Sequence, residues 1–320
     1  MSHALRPLAV VGPTATGKTV LAVGLARRLG GELVNADSRQ VIRRLRVGTA
    51  APTAAELGGV PCHLLDVCEP GEPFTVADWA RRARQVLDDL AARRVPAIIV
   101  GGTGQYLRAL REGWLFAGSG PDPAVRAELT ATAAAPGGLE ALAAELRRRD
   151  PRGTDSVDVA NPRRVIRAVE LLRAGAGSLA EVRCRGGGVA VSVIVLDATR
   201  VVHELALEQR IEAMFGHGAL AAEVTAELDR GTTAAALRRA GIGYAEALDL
   251  LAGAVTAEHA RASALQRTRR YVKAQRTWFR HEPCLLRIER DAETRPDALE
   301  DDVLRAVRQL PGGPPPGSHR

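Results

Sequence analysis

The sequence predicts an α/β fold: a P-loop-type parallel sheet with helices on both faces and an inserted helical subdomain. Three observations lead there. Short, unbroken apolar runs alternate with amphipathic helical stretches across the first hundred residues. The runs lack polar alternation, the pattern of strands covered on both faces. Two of them end in glycine-rich turns, at the strand ends where open α/β sheets bind ligands.

The elements follow in order. Leu8-Ala9-Val10-Val11 is the first strand, stopped at Gly12-Pro13. A helix comes next, with Leu21, Leu25 and Leu29 at i, i+4 and i+8 and Gly30-Gly31 at its end. Leu33-Val34 marks a second strand, ending at Asn35-Ala36-Asp37. Residues 76–94 read as an amphipathic helix, and Val95-Pro96-Ala97-Ile98-Ile99-Val100 as a third strand closed by Gly101-Gly102. From about residue 121 to 185 the strand signal disappears, and helical patterns at 139–149 and 162–173 dominate. Residues 189–196 restore a buried strand, and 204–280 is again helical. These shifts predict a core of residues 1–120 and 186–310, C-terminal helices included, with a helical subdomain inserted at 121–185. The run Pro311-Gly312-Gly313-Pro314-Pro315-Pro316-Gly317 cannot pack, so 311–320 is expected to be a disordered tail.

Of the 320 residues, 46% are hydrophobic and 25% charged, which excludes a fibrous or wholly disordered chain. No apolar run approaches the roughly 18 residues of a membrane span. The N-terminus enters a strand directly, without the layout of a secretory signal, so a cytoplasmic location is expected. The net charge of +7 suits a polyanionic partner. Lys18 and Lys273 are the only lysines among 44 basic residues, so a single surface arginine carries little information. A retained compact ammonium carries more. Cys62, Cys68, Cys184 and Cys284 form no CxxC pair, which argues for free thiols rather than disulfides or a structural metal. No coiled-coil pattern points to a stable protein partner, and a monomer is expected.

Gly12-Pro13-Thr14-Ala15-Thr16-Gly17-Lys18-Thr19 fits G-x-x-x-x-G-K-[ST], between a buried strand and an amphipathic helix. Such a loop wraps an anion in backbone N–H groups at a helix N-terminus. Lys18 neutralises the terminal phosphate, and the Thr19 hydroxyl is placed to ligate Mg²⁺. The loop reads a di- or triphosphate; it does not separate a diphosphate ester from ATP. Asp37, at the end of the second strand, is a candidate general base or metal ligand, and a turn aspartate is the plain alternative. Ser38, Arg39 and Gln40 offer donors and acceptors of the kind that read base edges. Thr103, in Gly101-Gly102-Thr103-Gly104, offers a hydroxyl on the same rim; the plain alternative is a helix cap.

Two basic segments complete the inventory. Asn161-Pro162-Arg163-Arg164-Val165-Ile166-Arg167 opens a helix with Arg163 and Arg167 on one face. Arg269, Lys273, Arg276 and Arg280 form a stripe about 16 Å long on the last long helix. Tyr271, Trp278 and Phe279 lie beside it, and aromatic rings stack bases. The alternative is a solvated face whose aromatics serve the core.

Together these pieces resemble the tRNA dimethylallyltransferase family. The resemblance rests on 12–19, on Asn35-Ala36-Asp37-Ser38-Arg39-Gln40, on Val47-Gly48-Thr49-Ala50 with Pro52-Thr53, and on His63-Leu64-Leu65-Asp66. It continues through 100–104 with Tyr106-Leu107, through 161–167, Gly241-Ile242-Gly243-Tyr244 and Thr277-Trp278-Phe279-Arg280, in the family's order over about residues 8–280. It implies transfer of a dimethylallyl group from dimethylallyl diphosphate to N6 of the adenosine 3′ of the tRNA anticodon (position 37 of the tRNA). It also implies that Gly12, Pro13, Thr14, Ala15, Thr16, Gly17, Lys18 and Thr19 hold the diphosphate with Mg²⁺, that Asp37 accepts the N6 proton, and that Thr103 bonds near the reacting centre. Asp37, Ser38, Arg39, Gln40, Thr103, Arg126, Arg163, Arg164, Val165, Ile166, Arg167, Arg269, Lys273, Arg276 and Arg280 would contact tRNA, with 121–185 as its binding subdomain. The sequence departs from the family pattern at Ile42 (usually Tyr), Arg44 (Gly), Ala51 (Lys), Cys62 (His) and Ala274 (Arg). A small-molecule kinase using ATP is the alternative, with Asp37 activating a hydroxyl; it leaves the Ser-Arg-Gln run and the basic helix without a purpose.

Overall fold

The computed structural model describes residues 6–114, 122–179 and 187–309. The expected tail at 311–320, and Cys184, lie outside the described residues. The chain divides into two compact units, Met1–Arg111 with Ala190–Arg320, and Glu112–Val189.

The first unit is built on a six-stranded parallel sheet in the order β3-β2-β4-β1-β5-β6. Its strands are β1 Leu8–Val11, β2 Glu32–Asn35, β3 Cys62–His63, β4 Ala97–Gly101, β5 Ser192–Ala198 and β6 Leu286–Arg290. The helices of the first half are α1 Lys18–Leu29, α2 Ala54–Leu57, α3 Val76–Ala92 and α4 Gly104–Glu112. β1 sits centrally, pairing Val11 with Gly101 of β4 and with Val195 of β5. Parallel pairing needs crossovers, which is why helices separate these strands in sequence. Leu8, Val10, Leu33, Ile98, Val100, Ile194 and Leu196 pack on one face against Leu21 and Leu25 of α1. Ala9, Val11, Val34, Ile99 and Val195 are equally buried on the other face, where α3 packs on β2 and β4. Burial on both sides explains the unbroken apolar runs.

The second half of this unit adds α9 Arg200–Phe215, α10 Ala219–Asp229, α11 Ala234–Ala240, α12 Tyr244–Leu251, α13 Ala257–Arg280 and α14 Pro296–Arg308. Leu45, Ile211, Met214, Leu220, Leu237 and Tyr244 form a second core among α9 to α13. The sequence reading left out β3 and β6. β3 has only two residues, and the edge strand β6 alternates half-buried Leu286, Ile288 and Arg290 with exposed Arg287 and Glu289, so neither presents an apolar run.

The unit Glu112–Val189 is helical, with α5 Pro123–Ala134, α6 Gly138–Arg149, α7 Pro151–Thr154 and α8 Pro162–Arg173. It has its own core of Leu129, Leu142, Leu146, Val165, Val169 and Leu172. Asp122 and Asn161 accept backbone N–H bonds at the starts of α5 and α8, each followed by proline in the first turn.

The departure at Arg44 has a structural account. Arg44 adopts φ +63°, the left-handed region where a side chain costs about 1–2 kcal/mol. Its guanidinium offsets this, donating to Glu227 Oε1 at 2.8 Å and to Glu69 Oε2 at 2.7 Å. Arg44→Gly and Arg44→Ala both lose those bonds, but only glycine relieves the backbone. Urea unfolding should find the alanine variant about 1 kcal/mol less stable than the glycine variant. Equal stabilities would rule out strain at this position. Ala51 is buried and Ile42 packs on the second core. Cys62 lies in β3, its thiol pushed up to about 12 by burial, which suits an inert side chain. Ala274 is exposed on α13, and nothing in the structure explains that substitution.

Candidate active site

Because the strands are parallel, the loops after β1, β2, β4, β5 and β6 leave from one rim of the sheet. Loop 12–19 follows β1, Asp37 follows β2, Thr103 follows β4, Asp197 ends β5 and Arg290 ends β6.

Loop 12–19 is tightly held. Gly12 has φ +147°, and a Cβ there would lie 2.0 Å from the Leu196 carbonyl oxygen of β5. Only glycine fits both demands. The loop ends at Gly17, the left-handed N-cap of α1, so the N–H groups of Lys18 and Thr19 are first-turn donors aimed along the helix axis. Thr14 is gripped at three atoms by two helices. Its N–H donates to Gln275 Oε1 at 2.9 Å, its carbonyl oxygen accepts from His203 Nε2 at 2.8 Å, and its hydroxyl accepts from Arg210 Nη1 at 2.7 Å. Arg290 Nε donates to the Thr16 carbonyl oxygen at 2.8 Å.

Lys18 is 9% exposed. Burial pulls its ammonium down to about 8, partly opposed by Asp37 and reinforced by Arg210. Its Nζ donates to the Pro13 carbonyl oxygen at 2.5 Å. An incoming phosphate oxygen would compete with that carbonyl for a desolvated cation.

Asp37 is held by its neighbours. The Asn35 carbonyl oxygen accepts from Trp79 Nε1 at 2.8 Å, and Asn35 Oδ1 accepts from the Asp37 N–H at 3.2 Å. Asp37 Oδ1 accepts from the Arg39 N–H at 2.9 Å, so the plain turn role also holds. One oxygen serves the turn, and among the described residues Oδ2 has no hydrogen-bond partner. The carboxylate acts on Lys18, Arg210, Tyr106 and Tyr271. Asp37 and Lys18 therefore share one electrostatic environment.

Thr103 faces Asp37's loop. Its hydroxyl oxygen accepts from the Ser38 N–H at 2.9 Å, which leaves its proton for a substrate acceptor. Its own N–H donates to the Ala36 carbonyl oxygen at 3.2 Å. These two bonds stitch the loops after β2 and β4 together. Ser38 stands beside this junction, while Arg39 Nη1 donates to the Arg239 carbonyl oxygen and Gln40 Nε2 to that of Ala50.

Arg210 is the principal residue that sequence reasoning missed. Its side chain is half-buried, its pKa drawn down by desolvation and supported by Asp37. In a chain where all but two of the 44 basic residues are arginine, nothing in the sequence marks it. His203, seven residues earlier on α9, was equally unmarked. Arg276 Nη2 donates to His203 Nδ1 at 2.8 Å, so Nε2 carries the ring proton that reaches Thr14. Burial lowers the pKa of this imidazole and Arg276 lowers it further, consistent with the neutral ring.

The basic stripe on α13 needs correction. Arg276 turns inward, donating to both oxygens of Asp197 and to the Ala198 carbonyl oxygen. It supports loop 12–19 through His203, so its guanidinium is engaged rather than free, although its side chain is 36% exposed. Arg269 pairs with Glu204 at 2.8 Å. Lys273 and Arg280 are exposed, with no ion pair among the described residues. Phe279 is 1% exposed and serves the core; Trp278 lies under Arg108, and Tyr271 is 36% exposed.

In the helical unit, Val165 and Ile166 are corrected in the same way. Both side chains pack in its core, so neither presents a contact surface. Arg126 grips Glu170 with two bonds of 2.8 and 2.6 Å, and Arg167 adds a third at 2.8 Å. Burial pushes the Glu170 carboxyl up, but the two guanidinium groups outweigh it and hold it below the usual range. Two arginines on one carboxylate leave a net positive charge. Arg163 and Arg164 are exposed, Arg164 lying 3.6 Å from Asp158.

No helix among the described residues is long and apolar enough to cross a membrane. Nor do they hold a group of three or more His, Cys, Asp or Glu side chains that could bind a metal ion.

Comparison with known proteins shows the family. A family model described as IPP transferase matches residues 40–282, and one described as isopentenyl transferase matches 6–69. The tRNA dimethylallyltransferase of Salinispora arenicola is 40% identical over 306 residues, covering 94% of this chain and 86% of that one. A crystal structure of the tRNA isopentenylpyrophosphate transferase of Bacillus halodurans is 33% identical, with a TM-score of 0.68 over 94% of this chain and 96% of that one. A eukaryotic dimethylallyltransferase acting on tRNA is 20% identical and shares the fold, with a TM-score of 0.79 over 94% of this chain and 78% of its own.

Proposed function

The chain belongs to the IPP transferase family of tRNA dimethylallyltransferases, and we propose that Asp37, Thr103 and loop 12–19 carry that family's reaction. The reaction moves a dimethylallyl group from dimethylallyl diphosphate to N6 of adenosine 37 in tRNA. The observation that carries the residue assignment is the convergence of loop 12–19, Asp37 and Thr103 on one rim of the sheet, with the Ser38 N–H bonded to the Thr103 hydroxyl oxygen at 2.9 Å.

The C1–O bond of the substrate breaks as the C1–N6 bond forms. Charge then develops on the departing diphosphate. The first-turn amides of α1, Lys18 and Arg210 meet that charge with donors already in place, which costs no reorganisation at the moment of reaction. Asp37 takes the proton that N6 must lose, and Thr103 donates its hydroxyl proton close by. An exocyclic amine is a weak nucleophile, so alignment of the two substrates supplies much of the rate. The adenine leaves its stack to reach the site.

Mg²⁺ fits this site only as a companion of the diphosphate. The chain offers the Thr19 hydroxyl and, among the described residues, no carboxylate cage, and this cation favours substrate phosphates and water. When bound it would shield diphosphate charge. Arg39, Gln40, Arg126, Arg163, Arg164, Arg167, Lys273 and Arg280 are the groups we assign to tRNA, in a cytoplasmic setting.

The test is direct. Incubation with dimethylallyl diphosphate, Mg²⁺ and unmodified tRNA, followed by digestion and mass spectrometry, should yield N6-isopentenyladenosine. ATP turnover without that product would restore the kinase alternative, which the relatives do not support.

The state of Lys18 sets a pH dependence. Its pKa in the free protein is lowered by burial to about 8, so above that pH it loses the charge that attracts diphosphate. kcat/KM for dimethylallyl diphosphate, which reports the free enzyme, should fall about tenfold per pH unit above 8. Bound diphosphate stabilises the ammonium, so kcat should hold to higher pH. A kcat/KM flat to about pH 10 would contradict the role given to Lys18.

A further inference from the structure

Gln275 joins the two loops that hold the two substrates. It sits on α13, 5% exposed. Its Oε1 accepts from the Thr14 N–H of loop 12–19 at 2.9 Å. Its Nε2 donates to the Gly102 carbonyl oxygen at 2.9 Å, one residue before Thr103. The two backbone groups fix the amide's orientation, because an N–H can meet only the oxygen and a carbonyl only the nitrogen. No other natural side chain of this length offers an acceptor and a donor at its tip while staying neutral.

Sheet pairing reaches only the base of the two loops. β1 and β4 are paired up to Val11 and Gly101, and both loops begin beyond that last rung. Past the rung, the separation between diphosphate cradle and acceptor loop depends on what bridges them. Gln275 is a direct bridge. Thr14 already carries Arg210 on its hydroxyl, and Thr103 already carries Ser38 on its own. One amide therefore lies between the group that meets the leaving diphosphate and the group beside the incoming amine.

We propose that Gln275 is a positioning residue that sets the distance between the bond that breaks and the bond that forms, acting through Thr103. This deepens the proposed function and rests on it. Each substrate has its own contacts, so each binds without the bridge. What the bridge supplies is alignment. A small misplacement of reacting groups lowers the rate without loosening binding.

The test is a double-mutant cycle of Gln275→Met with Thr103→Ala, with tRNA prenylation by the full chain as the readout. Methionine keeps the length and loses both hydrogen bonds. Gln275→Met alone should lower kcat by roughly 10–100-fold, with both KM values close to wild type. In the Thr103→Ala background the same change should cost far less, because the residue it works through is gone. Gln275→Glu serves as the second variant: it still accepts from Thr14 but presents an oxygen to the Gly102 carbonyl. It should lose kcat as Gln275→Met does and keep the KM for dimethylallyl diphosphate. Thermal melting identifies any variant that fails to fold, and the other variant then decides the matter through the same cycle. Full kcat in either folded variant, losses that multiply with Thr103→Ala, or a loss confined to KM would each overturn the proposal. Wild-type prenylation separates the two levels: if the wild type makes no isopentenyladenosine, the functional reading fails; if it does and the cycle is additive, only the role of Gln275 fails.

Discussion

Asp37→Asn should lower the rate of a single prenyl-transfer turnover by about 10²–10⁴-fold, the range for removing a positioned general base. The change is nearly isosteric. The amide oxygen it introduces would still accept from the Arg39 N–H, so the turn after β2 should survive. What disappears is the negative charge and the capacity to take a proton from N6. Binding of an anticodon stem-loop, measured by titration with the labelled RNA, should stay close to wild type. Equal losses in binding and turnover would make Asp37 a docking residue and remove it from the chemistry.

Arg210→Ala should lower kcat by about 10²–10³-fold, in line with loss of one preorganised charge-stabilising donor. The side chain is half-buried, it fixes the Thr14 hydroxyl at 2.7 Å, and it lies within the field of Asp37. Its charge matters most as the leaving diphosphate gains charge, so the loss should fall on kcat more than on KM. Arg210→Lys keeps a cation but loses the planar fork, and should recover only part of the rate. Steady-state kinetics in dimethylallyl diphosphate decide it. A rise in KM with kcat intact would mean that Arg210 holds the ground state and transition state equally well.

The sheet was legible in the sequence wherever a strand is buried on both faces, because apolar residues then follow without interruption, as in Leu8-Ala9-Val10-Val11. β6 escaped notice because it lies at an edge and carries arginine and glutamate between its apolar positions. Loop 12–19, Asp37 and Thr103 were legible because their chemistry sits within a few residues of a strand end. Arg210, His203 and Gln275 were not, since they come from distant helices and reach the loop only after folding. The inward ion pair of Arg276 was not legible for a geometric reason. The residue follows the buried Val272 by one helical turn and precedes the buried Phe279 by another, so it borders the buried row of α13. Val165 and Ile166 fell into a tRNA-contact stretch by adjacency, although helix geometry turns them away from Arg163 and Arg164 into the core.

Only two lysines exist in this chain, so selective ¹⁵N-lysine labelling gives two side-chain signals, assignable with Lys273→Arg. The Lys18 ammonium should titrate near 8 in the free protein. Asp37→Asn should move that midpoint lower, since the carboxylate favours the charged form, and saturating inorganic diphosphate should move it higher. A Lys18 signal that titrates near the ordinary ~10.4 of a solvated lysine and ignores both Asp37→Asn and diphosphate would contradict the account.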